Sequence, residues 1–371
     1  MRRESLFESV PNFSEGRRAG VISAIAAAAA PAYVLDVDSD PDHNRTVLSL
    51  AGYRRRLMDG LVSAVAEAAR GIDLREHRGV HPRVGAADVV PIVPLGDTSL
   101  DECRAVAHEL GERIWTELRV PVFFYGHGEE HRLADIRAGR ATPDLGGPEL
   151  DPPAGGVCVG ARAPLIAFNV ILYATDMVAA RAVAKSLREV SGGLRGVQAL
   201  AFALPGQRVQ LSMNLFRAVE TGPAAVLAEL ERRGVAHGSP ELVGLCPAVA
   251  ATSVADGKLL EGRLASAAAK AAAEACEALG GDEHQRLAAR IAREAEAMAG
   301  LPAAQDDVLA GAERAAALVP VIRAAGLDEP ELESMFEAAA RGLRAALSDA
   351  TVALYRARVD ALDLRLRPGP A

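Results

Sequence analysis

LIAFNVIL at Leu165–Leu172, MVAARAVAKSLREV at Met177–Val190, VQALAFAL at Val197–Leu204, RVQLSMNL at Arg208–Leu215 and PAAVLAELERR at Pro223–Arg233 follow one another between Gly- and Pro-containing breaks. The short apolar runs read as strands, the longer Ala-rich ones as helices. Their order is β-α-β-β-α, the pattern of a split βαβ unit. An α/β subdomain spanning about 159–250 is expected.

The chain before it carries the same alternation. Glu8–Asn12 is short and apolar-centred. A helix is expected over 17–30, then a buried strand ending in carboxylates at Ala32–Asp38 (AYVLDVD) and a second at Thr46–Gly52. Arg55–Ala69 has one apolar face and reads as a helix. A strand at Asp88–Pro94, a helix at Ser99–Glu117 and a strand at Val120–Gly126 (VPVFFYG) complete the series. Strands separated by helices imply a sheet with helices on one face. Residues 1–158 are therefore expected to form a first α/β subdomain. Residues 139–158 (GRATPDLGGPELDPPAGGVC) are rich in Gly and Pro and read as a linker or a long functional loop. Beyond 251 come Ala-rich segments with charges at i,i+4 spacing, broken by Pro302, Pro320 and Pro330. Residues 251–371 are expected to be a helical region whose apolar faces meet the second subdomain or another subunit.

Composition narrows the function. Hydrophobic residues make up 50% of the chain and charged ones 24%, the balance of a globular protein. The net charge is −8, which argues against a general nucleic-acid binder, since that needs a basic surface. The four cysteines are far apart, without a CxxC pair, so neither a thiolate metal site nor a disulfide framework is expected. Arg17-Arg18 before the apolar run 21–30 imitates a leader peptide, but the run is too short to span a bilayer. It reads as a core helix, and a cytoplasmic protein is expected.

Three stretches could carry chemistry. His77-Arg78-Gly79-Val80-His81-Pro82-Arg83-Val84-Gly85-Ala86-Ala87-Asp88 packs two imidazoles and several charges into twelve residues. Histidine both takes and gives a proton near neutral pH. Pro82 holds the His81 backbone extended. HxxxH binds metal only from a helix, which Pro82 and the glycines oppose, so no metal is expected. The carboxylates Asp36, Asp38, Asp40 and Asp42, with His43 beside them, belong to the same constellation. Acid–base work needs only one loop histidine and one such carboxylate; otherwise the histidine merely supports its loop. The second stretch, Gly155–Arg162 running into Leu165–Asn169, offers glycines against which a flat ligand could lie. Arg162 can fork onto a carboxylate, and Asn169 can pair with a heterocycle. It lacks the spacing of a dinucleotide or P-loop site. The third, Ser191–Gly196, reads as a helix cap and turn, with Arg195 free to meet an anion.

Together these segments resemble the formiminotransferase domain of the glutamate formimidoyltransferases. The likeness rests on Val10-Pro11-Asn12-Phe13-Ser14-Glu15-Gly16, Leu35-Asp36-Val37-Asp38, Asn44-Arg45-Thr46-Val47, the His77–Asp88 loop, Gly160–Asn169 and Leu242-Val243-Gly244-Leu245-Cys246-Pro247. It covers about residues 5–250. The resemblance implies two ferredoxin-like α/β subdomains with a cleft between them, here followed by the helical region. It implies transfer of a formimino group from N-formimino-L-glutamate to N5 of tetrahydrofolate, the co-substrate, in a homo-oligomer. His81 matches the family's catalytic histidine. Gly160, Ala161, Arg162, Leu165, Ile166, Ala167, Phe168 and Asn169 match its folate-binding stretch. Ala163-Pro164 and Cys158-Val159 depart from the family pattern. Residues 251–371 lack the glycine-rich APGGGS-type segment of a fused cyclodeaminase, so that activity is not expected.

The residues suit the chemistry. His81 can accept the proton of the attacking amine and deliver it to the leaving nitrogen. Asp38 can hold the cationic amidine and orient His81. Arg45, Arg83 and Arg162 are candidates for substrate carboxylates. The alternatives are a one-carbon transferase using N-formylglutamate or another donor or acceptor, and a non-catalytic folate-binding scaffold. A scaffold has no need of a placed acid–base pair.

Overall fold

The computed structural model describes residues 4–150 and 153–351. It comprises two compact units that divide between Cys246 and Pro247.

The first unit holds two sheets. In the larger, seven-stranded one, β1 (Leu6–Ser9) and β2 (Asn12–Phe13) share a single lane, each pairing with both β4 (Arg45–Tyr53) and β5 (Ala87–Pro94). Pro11 cannot donate to a ladder, which accounts for the break between them. β3 (Tyr33–Asp40) forms a hairpin with β4. Helices α1 (Ala19–Ala28), α2 (Arg54–Gly71) and α3 (Leu100–Leu118) complete the layer. They share an apolar core with the sheet, built around Leu48, Leu50, Leu57, Leu61, Ile92 and Leu110. The run that imitates a leader peptide is α1, with Ile25 and Ala29 buried. The lane order β5, β1/β2, β4, β3, with α1 and α2 as crossovers, is ferredoxin-like.

Two strands extend this sheet beyond β5. β7 (Val157–Ala161) pairs parallel with β5, and β6 (Val122–Gly126) parallel with β7. The Gly/Pro-rich segment read as a linker is thus partly sheet, and the boundary read at 158 falls inside β7. What surrounds it is also pinned: Asp144 accepts a hydrogen bond from Phe124 N, and Leu145 bridges to Val122. A short helix that no periodicity announced, α4 (Leu133–Arg137), follows β6.

The four-stranded sheet has the order β11 (His237–Val243), β8 (Ile166–Leu172), β10 (Arg208–Leu215), β9 (Val197–Leu204), all antiparallel. With α5 (Met177–Leu187) and α6 (Pro223–Arg232) it is a second ferredoxin-like unit. β11, which the sequence reading lacks, completes it. Ile166, Phe168, Val170, Leu211 and Met213 are buried in its core. By alternation Ala167, Asn169, Gln210, Ser212 and Asn214 lie on the opposite face.

The second unit is helical: α7 (Leu260–Leu279), α8 (Asp282–Ala299), α9 (Gln305–Ala324) and α10 (Pro330–Ala345). Their apolar faces pack on one another, α7 on α8 and α10, and α9 on α10. Pro320 does not end α9. It sits on the exposed side, where water can take up the carbonyl that its missing N–H leaves free. Pro330 opens α10, where its missing N–H is harmless.

Candidate active site

The turn joining β3 to β4 organises the site. Asp40 Oδ1 accepts from Asp42 N at 2.7 Å and His43 N at 2.9 Å. Asn44 takes the left-handed conformation (φ 49°) that Asn tolerates. Its side chain then ties three segments together, accepting from Gly16 N at 2.8 Å and donating to Arg78 O at 3.0 Å. The buried Glu15 accepts from the N–H groups of Arg17 and Arg18 and from the Arg18 side chain. Burial opposes its charge, but these donors prevail and hold its carboxyl below the usual range.

The same turn meets the second sheet. His43 Nε2 lies 2.6 Å from Gln210 Oε1, and Asp42 pairs with Arg208 at 2.5 Å. Asp38 Oδ2 accepts from Gly244 N at 3.0 Å.

His81 stands half-buried on its loop. Arg83 fixes that loop by donating to the carbonyls of Gly79 and His81, at 3.0 and 2.6 Å. The His81 ring stacks on Phe202 of β9, centroids 5.9 Å apart, and meets His43 edge-on at 6.1 Å. Two groups compete for its Nδ1. Pro82 O, at 2.8 Å, can accept its hydrogen, and Arg45 Nη1, at 2.9 Å, can donate to its lone pair. The first arrangement leaves Nε2 as a free base; the second leaves Nε2 protonated.

Behind Arg45 lies a buried charge network. Its Nε donates to Asn12 Oδ1 at 2.8 Å, and its Nη1 to Asp88 Oδ2 at 3.0 Å. Asp88 is fully buried. Its Oδ2 also accepts from Arg137 of α4 at 2.8 Å, and its Oδ1 from Val84 N at 2.6 Å. Burial pushes the Asp88 carboxyl up, but Arg45, Arg137 and the Val84 N–H outweigh it and leave it low. For His81 burial and both arginines act together, pushing the imidazole from 6.5 down to about 3.

Of the residues singled out from sequence, His81, Arg45 and Arg83 come together here. The carboxylate that shares Arg45 with His81 is Asp88. Asp38 sits on β3, engaged by Gly244. The Gly160–Asn169 stretch spans both sheets. Gly160 lies in β7, where a Cβ would come within 1.8 Å of Tyr125 O, so its missing side chain serves strand packing. Gly85 and Gly155 likewise bring two chain segments together, bridging as an antiparallel pair. Ala161, Ile166 and Phe168 are core residues. Leu165 and Ala167 are partly exposed. Arg162 donates to Ala163 O at 3.0 Å. Asn169 lies 3.4 Å from Glu241 Oε2. His77 supports its loop, its Nε2 near Asn44 O and Arg83. Gly192 caps its turn at φ 81°, and Arg195 pairs with Glu220 at 3.4 Å.

Asp88, Arg137, His43, Gln210 and Phe202 are absent from the site residues assigned by sequence. Asp88 carried one signal: a lone carboxylate opening an otherwise apolar strand. His43 carried another, its place beside the carboxylates Asp40 and Asp42 in the constellation around His77 and His81. Arg137, Gln210 and Phe202 have none, because long-range folding brings them in. Among the described residues no three or more His, Cys, Asp or Glu side chains cluster to hold a metal ion, and no helix is long and apolar enough to cross a membrane.

Residues 6–162 match the profile of the formiminotransferase domain, N-terminal subdomain. A glutamate formimidoyltransferase of Thermoplasma acidophilum is 37% identical over 71% of this chain and 99% of its own length. One from Streptococcus pyogenes serotype M1 is 35% identical over 68% of this chain and 92% of its own. A formimidoyltransferase-cyclodeaminase of Rattus norvegicus is 37% identical over 65% of this chain and 50% of its own. The chain belongs to the glutamate formimidoyltransferase family.

Proposed function

We propose that the protein transfers a formimino group from N-formimino-L-glutamate to N5 of tetrahydrofolate, with His81 as general base and then general acid. The observation that carries this reading is the His81 ring, half-buried against Phe202, with Pro82 O ready to hold its Nδ1 hydrogen. Nε2 then takes the proton as the folate amine attacks the amidine carbon. The resulting imidazolium keeps its bond to Pro82 O. It returns the proton to the glutamate nitrogen, which departs as a neutral amine when the tetrahedral intermediate collapses.

In this reading Asp38 accepts from the cationic amidine. Arg45, Arg83 and Arg162 face the carboxylates of the donor and of the folate tail. The polar face of the four-stranded sheet, with Asn169 and Gln210, receives the folate. Much of the rate comes from holding two substrates together, since the transfer is otherwise bimolecular. No step requires a metal.

The test offers N-formimino-L-glutamate and N-formyl-L-glutamate separately, each with tetrahydrofolate. Appearance of 5-formiminotetrahydrofolate with the first donor alone is expected, with full activity after exhaustive chelation. Turnover of N-formylglutamate at a comparable rate replaces the donor assignment, and absence of turnover with both removes the reading.

A further inference from the structure

We propose that Arg137 is a positioning residue that, together with Asp88, makes the basicity of His81 depend on an anionic substrate group entering the site. The inference rests on the reading of His81 as the base.

Its ground is the charge count around one atom. Asp88 Oδ2 receives both Arg45 Nη1, at 3.0 Å, and Arg137 Nη2, at 2.8 Å. One carboxylate between two guanidiniums leaves one positive charge uncompensated. Among the described residues, the groups that face the imidazole add no second anion. Arg45 comes from β4, Asp88 from β5, Arg137 from α4 and Arg83 from the loop of His81 itself. His43 comes from the β3–β4 turn and Phe202 from β9. Asp40 stands beyond His43, 3.9 Å from its Nε2. A second observation points to the missing anion. Arg137 Nε is buried and has no acceptor among the described residues, although its side chain is 19% exposed. A guanidinium normally spends such a donor on a carboxylate.

The consequence follows from like-charge repulsion. In the empty site the excess charge opposes a proton on His81, consistent with the direction of its shift. A carboxylate seated beside Arg137 cancels that charge, and the imidazole then takes a proton more readily. The base becomes effective only when the donor is in place.

The experiment follows the His81 ring by NMR of histidine-labelled full-length protein, with and without saturating N-acetyl-L-glutamate as an unreactive dicarboxylate. In the wild type the ligand should raise the His81 titration midpoint by about one pH unit or more. Arg137→Gln should raise the midpoint of the free protein and shrink the ligand-induced rise. Arg137→Lys, which keeps the charge, should restore the wild-type pattern. Backbone amide spectra confirm that each variant is folded. Equal midpoints in free wild type and Arg137→Gln overturn the inference, as does a wild-type midpoint indifferent to the ligand or no saturable binding. His81→Ala, assayed separately, tests the base itself: full turnover there removes the base while the charge coupling stays measurable by NMR.

Discussion

At the scale of the residue, two histidines of the loop that Asn44 ties down carry different burdens. His77 has its Nε2 near Asn44 O and Arg83, and a buried Nδ1 without a hydrogen-bond partner among the described residues. His81 presents its ring to the second sheet. Replacing His81 by Ala should therefore lower turnover by about 10²–10⁴-fold, the usual worth of general acid–base catalysis, with the fold intact. His77→Ala should lower the melting temperature and alter turnover far less. Steady-state rates and thermal melts of both variants decide between them; equal, small losses of rate would take His81 out of the mechanism. Asp88 makes the opposite kind of prediction. It is a fully buried carboxylate whose two arginine partners depend on it. Asp88→Asn should cost about 3–5 kcal/mol, the penalty for breaking a buried pair from one side. Denaturant unfolding measures this, and a loss below about 1 kcal/mol, as for an exposed pair, would contradict the burial argument. His81 was legible in the sequence because proline, glycine and charge crowd into its loop, and Arg45 through the family resemblance of Asn44-Arg45-Thr46-Val47. Arg137 was not, because nothing in LADIR says that a five-residue helix will aim its last side chain at a strand forty-nine positions earlier.

At the scale of the element, the strands and long helices follow from period and punctuation. Ser99 illustrates this: its side chain accepts from Glu102 N while Glu102 caps back, so α3 begins where the capping pattern starts it. The failures share a cause. β7 was hidden because glycine and proline lower strand propensity, yet Gly160 is there because neighbouring backbone leaves no room for a side chain. α9 runs through Pro320 because tertiary packing outweighs a local penalty. The helical unit holds one further local conflict. Glu261, in the first turn of α7, is buried and accepts from Ala248 N at 2.8 Å. Burial pushes its carboxyl up to about 7 from 4.5. The folded unit thus keeps a proton that the unfolded chain releases above about 4.5. Its contribution is complete below pH 4.5 and is lost as pH rises through 7. The helical unit should be less stable at pH 8 than at pH 5 by a few kcal/mol from this group. Glu261→Gln keeps an acceptor for Ala248 N and should flatten that dependence. Melting curves of the helical unit at both pH values measure it; the same slope in wild type and variant would exclude Glu261 as its source.

At the scale of the whole molecule, the sequence marks two α/β subdomains and a helical region, and the physical division lies between Cys246 and Pro247. Each part buries its own apolar surface. The first unit closes a core between its larger sheet and α1–α3 and another under the four-stranded sheet, while α7–α10 pack on one another. Why this chain carries the helical unit does not follow from its composition, since Ala-rich helices specify helix well and a binding site poorly. The place of the division does matter for dissecting the protein. A chain cut at Thr252 would keep Ala248 and Ala250, which are buried among the described residues, and would strip Ala248 N of its bond to Glu261. A chain ending at Cys246 avoids this and retains His81, Arg45, Asp88, Arg137 and the whole of both sheets. It should fold cooperatively and transfer the formimino group, because every group assigned to the chemistry lies before the cut. Light scattering on the same sample reads assembly independently: a smaller number of subunits per particle than in the full chain assigns oligomer contacts to the helical unit. A truncated protein that is folded, binds both substrates and yet turns nothing over would mean that residues 247–371 supply a reacting group, and the assignment of the chemistry to the first unit would have to be abandoned.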